Sequence, residues 1–134
     1  MPANAVIGLK PDLDNTELLD LTRSVVEPGA QIHLVSLVQV SKDSDERERL
    51  DAARTQVEKI AEGLRADGYA VDTLVQISTI ALGSELASIA TRLEADLLVI
   101  GLAKRSRVGK ALLGSDAQSV MMHATCPVLA NRIS

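Results

Sequence analysis

The chain has 134 residues and a net charge of −4; 46% of it is apolar and 24% charged, and Tyr69 is the one aromatic residue. That balance predicts one globular domain, 1–134, with a core of Leu, Val, Ile and Ala, and excludes disordered and fibrous classes; the lone Cys126 excludes an internal disulfide or a multi-cysteine metal cluster and reads as a buried free thiol. The acidic balance argues against a nucleic-acid partner, and the chain has no apolar run near the ~18 residues of a membrane span and no leader-like start, so a cytoplasmic protein is expected.

Strand and helix signals alternate along the chain. Ala5–Leu9 is a short apolar run ended by Pro11. Asn15-Thr16 suits the cap of a helix carrying Leu18, Leu21 and Val25, which Pro28-Gly29 closes. Ile32–Val40 is a second β-rich run. Asp43, Asp45 and Glu46 suit a helix N-terminus, and Leu50, Ala53, Val57, Ile60, Ala61 and Leu64 recur on one helical face before Gly68. Val71, Thr73, Val75 and Ile77 alternate with Asp72, Leu74 and Gln76, the period of a strand with one less-buried face, as at a sheet edge.

Gly83-Ser84 opens a helix with Leu86, Ile89, Ala90 and Leu93 on one side. Leu97–Ile100 is unbroken and apolar, as expected of a parallel strand covered on both faces. Gly114-Ser115 opens a last helix with Ala117, Val120, Met121 and Ala124, and Pro127–Ala130 is a final short strand. This alternation predicts an α/β fold: a doubly wound, Rossmann-like, five-stranded parallel sheet with helices on both faces. Ligands of such sheets bind beyond the carboxyl ends of the strands, where the strand order reverses.

The residues after the first and fourth strands therefore matter most. The fourth is followed by Gly101, then Lys104, Arg105, Arg107 and Lys110 with no acid among them, then Gly114-Ser115. A strand-end glycine admits close backbone approach, and a Gly-Ser helix start offers free N–H groups, a hydroxyl and the positive end of the helix dipole to a phosphate. Equally, Ser115 caps its helix, Gly114 turns the chain and the basic loop is solvated.

Residues 95–130 resemble the C-terminal half of universal stress proteins. The family shows Gly-x-x-Gly, nine residues, then Gly-Ser, and a helix ending in His-Ala/Ser-x-x-Pro-Val; here the stretch reads from Ala95-Asp-Leu-Leu-Val-Ile-Gly101 through Leu-Leu-Gly114-Ser115 to His123-Ala-Thr-Cys126-Pro-Val-Leu129. The resemblance implies a five-stranded parallel sheet and places Gly101, Gly114 and Ser115 in a loop for the phosphates and ribose of ATP. Lys104 stands where the motif has its second glycine. Lys10 stands where nucleotide-binding members carry an adenine-contacting aspartate, with Asp12 two residues on, and Ile80 and Leu82 stand where the family often has Gly and Pro. An ammonium cannot accept the hydrogen bond that a carboxylate accepts. The scaffold is kept and the site altered.

Neither His33 nor His123 has a paired acid or cysteine at ligand spacing, and Ser84, Ser115 and Ser119 lack a nucleophile-elbow setting, so no catalytic residue and no metal site is assigned. The expected function is a stress-response or regulatory module that acts as a homodimer, engages a protein partner the sequence does not name, and binds nucleotide weakly or in altered form. The alternative is a genuine binder of ATP or another adenine nucleotide; slow ATP hydrolysis ranks last. The dimer is expected through the final strand, Val128, Leu129 and Ala130, whose apolar edge needs covering; the resemblance points the same way.

Overall fold

The computed structural model describes residues 2–11, 13–40, 45–103 and 115–133. Among the described residues five strands and four helices alternate: β1 (Asn4–Leu9), α1 (Thr16–Val25), β2 (Gln31–Gln39), α2 (Glu46–Ala66), β3 (Ala70–Ser78), α3 (Leu82–Arg92), β4 (Leu97–Ala103), α4 (Ser115–His123) and β5 (Val128–Ile133). All pairings are parallel, in the order β3-β2-β1-β4-β5, so the predicted doubly wound sheet is the observed one.

Each inner strand feeds two cores, which is why β1 and β4 are almost continuously apolar and β2 is interrupted within its run only by His33 and Ser36. On one face Ala5, Ile7, Leu9, Ile32, Leu34, Leu97 and Val99 meet Leu18, Leu19 and Val26 around α1 and Val57, Ala61 and Leu64 of α2. On the other, Val6, Val35, Leu37, Leu98 and Ile100 meet Leu86, Ile89 and Ala90 of α3 and Ala117 and Val120 of α4. β3 lies at one edge, and its Asp72 is exposed as the alternation predicted, whereas Thr73, on the same face as the buried Val71, is exposed as well.

The helix ends show which local signals act. Asp45 caps α2, its Oδ1 accepting from Arg47 N at 3.0 Å and Glu48 N at 3.4 Å. Gly68, just past α2, has φ +99°, a left-handed conformation that glycine adopts without a Cβ penalty. Asp43 lies outside the described residues.

Several core assignments shift. In α1 the buried stripe is Leu18, Leu19 and Thr22, while Leu21 and Val25 are half-buried. The apolar spacing missed Thr22 because its hydroxyl donates to Leu18 O at 2.9 Å, which lets a polar side chain sit inside. Met121 is 58% exposed and Leu93 36%, since the turns that carry them lie at the rim of the α3–α4 layer.

Candidate functional site

The strand order reverses between β1 and β4, so the crevice beyond their carboxyl ends is the topological site. Its first lip is the turn from β1 into α1. Asn15, 3% exposed, precedes α1 without capping it. Its side chain turns back instead: Oδ1 accepts from Lys10 N at 3.1 Å, and Nδ2 donates to Lys10 O at 3.1 Å and Leu13 O at 3.0 Å. The helix start is served by Asp14, whose Oδ1 accepts from Thr16 Oγ1 at 2.6 Å and Thr16 N at 2.9 Å. Those two bonds hold the Asp14 carboxyl below its ordinary range. The turn is thus cinched around the backbone of Lys10.

The second lip is the start of α4. Ser115 is its first residue and Asp116 lies in its first turn. Helix α3 presses on that turn through Gly83: a Cβ there would overlap Asp116 O and lie 2.8 Å from Ser119 Cβ. Beside this contact Ser84 Oγ and Ser119 Oγ are 2.7 Å apart. From the opposite lip Lys10 extends so that Nζ is 4.0 Å from Asp116 Oδ2, the two side chains being 29% and 42% exposed. Asp116 suits its own helix dipole but repels an incoming anion.

Of the expected site residues, Lys10 is therefore in the crevice. Gly101 is buried but does not end its strand: β4 runs on to Ala103 and Gly101 pairs in register with Asn131. The ladder with β5 continues past the apolar run, which sequence periodicity alone does not register. Lys104, Arg105, Arg107, Lys110 and Gly114 lie outside the described residues. The third helix begins at Leu82, one residue before the expected Gly83-Ser84 start.

β5 is the other edge of the sheet. Its register sets Leu98 beside Val128, and Leu98 N donates to Pro127 O at 2.9 Å. In a parallel ladder of that phase the backbone of Leu129 bonds β4, while the N–H and C=O of Val128 and Ala130 point to the open side. Val128 packs against the α3–α4 core and Leu129 against the α1–α2 core, and Ala130 is exposed.

The histidines have structural partners away from the crevice. The Asn4 amide donates to Leu93 O and Glu94 O, which leaves its Oδ1 to accept from His33 Nε2 at 2.8 Å, at the amino end of the sheet. His123 Nδ1 donates to Ser119 O at 2.8 Å. Cys126 is half-buried, and burial, then the charge of Asp96, push its thiol up from the ordinary value. Among the described residues no group of three or more His, Cys, Asp or Glu is placed to hold a metal, and no helix is long and apolar enough to cross a membrane. A cleft of 170 Å³ lined by Pro11, Val38, Arg49, Ala52, Ala53 and Gln56 is smaller than the roughly 300 Å³ at which drug-sized ligand pockets begin.

Sequence reasoning missed Asn15 as the clamp on Lys10, Gly83 as the contact with α4, and Asp116 altogether. A glycine inside a helical pattern was a usable signal for Gly83. Nothing in the sequence foretold which residue Lys10 would meet.

The family model described as the universal stress protein family matches residues 22–132. Among solved structures, the protein MJ0577 is 18% identical with a TM-score of 0.74, covering 98% of this chain and 98% of that one. A universal stress protein from Archaeoglobus fulgidus is 18% identical with a TM-score of 0.72, covering 94% of this chain and 90% of that one. The universal stress protein from Archaeoglobus fulgidus in complex with dAMP is 18% identical with a TM-score of 0.69, covering 95% of each chain. At such identities the likeness is one of fold. No curated protein sequence matches the chain.

Proposed function

The chain belongs to the universal stress protein family, and from that premise we propose that it is a dimeric regulatory module of a stress response whose nucleotide site is reduced to weak or altered binding. The observation that carries the reading is Lys10 lying 4.0 Å from Asp116 across the crevice. The described residues fit a nucleotide poorly. Phosphates need unopposed positive charge, whereas the cation on one lip faces an acid on the other, and that acid opposes a bound anion. An ammonium at the end of β1 also offers nothing to accept an exocyclic amine of adenine. The nucleotide contacts that the resemblance still implies are Gly114 and Ser115, with Lys10 and Lys104 supplying charge rather than base reading, while Gly101 lies inside β4.

The dimer forms through β5. The outward backbone groups of Val128 and Ala130 form an unpaired edge, and pairing with the same strand of a second copy about a two-fold axis satisfies both.

Two measurements test the reading. Protein purified without added nucleotide and extracted with acid yields far less than one nucleotide per chain, and light scattering at micromolar concentration gives a dimer. Ala130→Pro removes an outward N–H without touching the β4 ladder, so it stays folded and becomes monomeric. A monomeric wild type contradicts the dimer, and a dimeric Ala130→Pro contradicts its formation through β5. A stoichiometric co-purified nucleotide contradicts the reduced site and favours the second reading, a genuine adenine-nucleotide binder, which the dAMP complex of the Archaeoglobus fulgidus relative supports.

A further inference from the structure

We infer that the Lys10–Asp116 pair is a latch that closes the crevice of the free protein and that an anionic ligand must open before Lys10 can serve it. The inference rests on the proposed reading that the crevice still admits nucleotide, however weakly. Three elements converge on the pair. Asn15 takes both the N–H and the C=O of Lys10 at 3.1 Å, which fixes where that side chain departs. Gly83 brings α3 against the carbonyl of Asp116, and the Ser84–Ser119 contact at 2.7 Å holds the same turn. The lips are therefore set by packing, and the flexible parts are the two side chains that meet between them at 4.0 Å.

The consequence is competition. Lys10 is the described cation at the β1 end of the crevice, and an anion that draws it away from Asp116 gives up the attraction between the two. The ligand class that gains most is one with a terminal phosphate or other dianion, since a monoanion merely exchanges one carboxylate-like partner for another. Because both side chains are partly exposed, the pair is screened, and its removal changes affinity by about fivefold at most.

The test combines hydrogen exchange of the free protein with ATP titration of Lys10→Met, Asp116→Asn and the double variant. In the free protein either single change speeds exchange of the α4 amides up to about fivefold, and the double variant adds nothing further. Asp116→Asn tightens ATP about three- to fivefold when Lys10 is present and markedly less in the Lys10→Met background. An equal gain in both backgrounds means that Asp116 simply repels anions, and it overturns the latch. So does unchanged exchange in Lys10→Met, whatever ATP does. If exchange is coupled but no variant binds ATP, the pair is structural only; the competition fails, and the proposed weak nucleotide site fails with it.

Discussion

Replacing Gly83 by Ala places one methyl group where α3 and α4 touch. The added carbon overlaps Asp116 O and comes within 3.0 Å of Asp116 C and 2.8 Å of Ser119 Cβ. These are backbone atoms and a Cβ, not the end of a swinging side chain, so α4 itself has to move. Overpacking of this kind costs roughly 1–3 kcal/mol. The better helix propensity of Ala returns up to about 1 kcal/mol, less in the first turn. A net loss of about 1–2 kcal/mol follows. Gly63 provides the opposite case, since it lies within α2 and a Cβ there meets nothing within 4 Å. Gly63→Ala therefore stabilises by about 0.5–1 kcal/mol. Equilibrium urea unfolding of both variants reads the two signs through their midpoints. A Gly83→Ala protein as stable as wild type refutes the close contact between α3 and the start of α4, and with it the packing that sets Asp116.

Asn15→Ala strips three hydrogen bonds from a buried turn and leaves Lys10 N among the groups without a partner, so it costs about 2 kcal/mol by the same unfolding assay; Asn15→Asp retains an acceptor but loses both donated bonds and buries a charge, and does no better. The Cys126 thiol lies above its ordinary value of 9.0, first through burial and then through Asp96. At pH 8 it is therefore largely protonated, and Ellman's reagent reacts more slowly with native than with urea-unfolded protein, the native rate climbing as pH passes 9.0. Equal rates in the two states at pH 8 contradict that placement.

The fold was legible because each inner strand packs on two faces. Leu97–Ile100 carries apolar side chains to both cores, and no other role suits so unbroken a run. The β3 edge was legible for the converse reason, through the alternation of Val71, Val75 and Ile77 with Asp72 and Gln76. Thr22 was passed over and Met121 misread because burial depends on where a helix lies over the sheet, which spacing within the helix does not record. The crevice was half legible. Topology placed Lys10 there, but its meeting with Asp116 joins residues more than a hundred positions apart through a Gly83 contact that the local pattern made look like a helix start. Asn15 was read as a cap because its residue type favours that role; in the folded chain Asp14 takes it, which frees Asn15 for Lys10.

The central claim is that the nucleotide site is weak because Lys10 and Lys104 stand where the family motif has an acid and a glycine, with the Lys10–Asp116 pair adding up to about fivefold. Calorimetric titration of the wild-type protein with ATP tests it most directly. The account predicts a dissociation constant no tighter than about 100 μM, roughly −5.5 kcal/mol. A low-micromolar constant contradicts it.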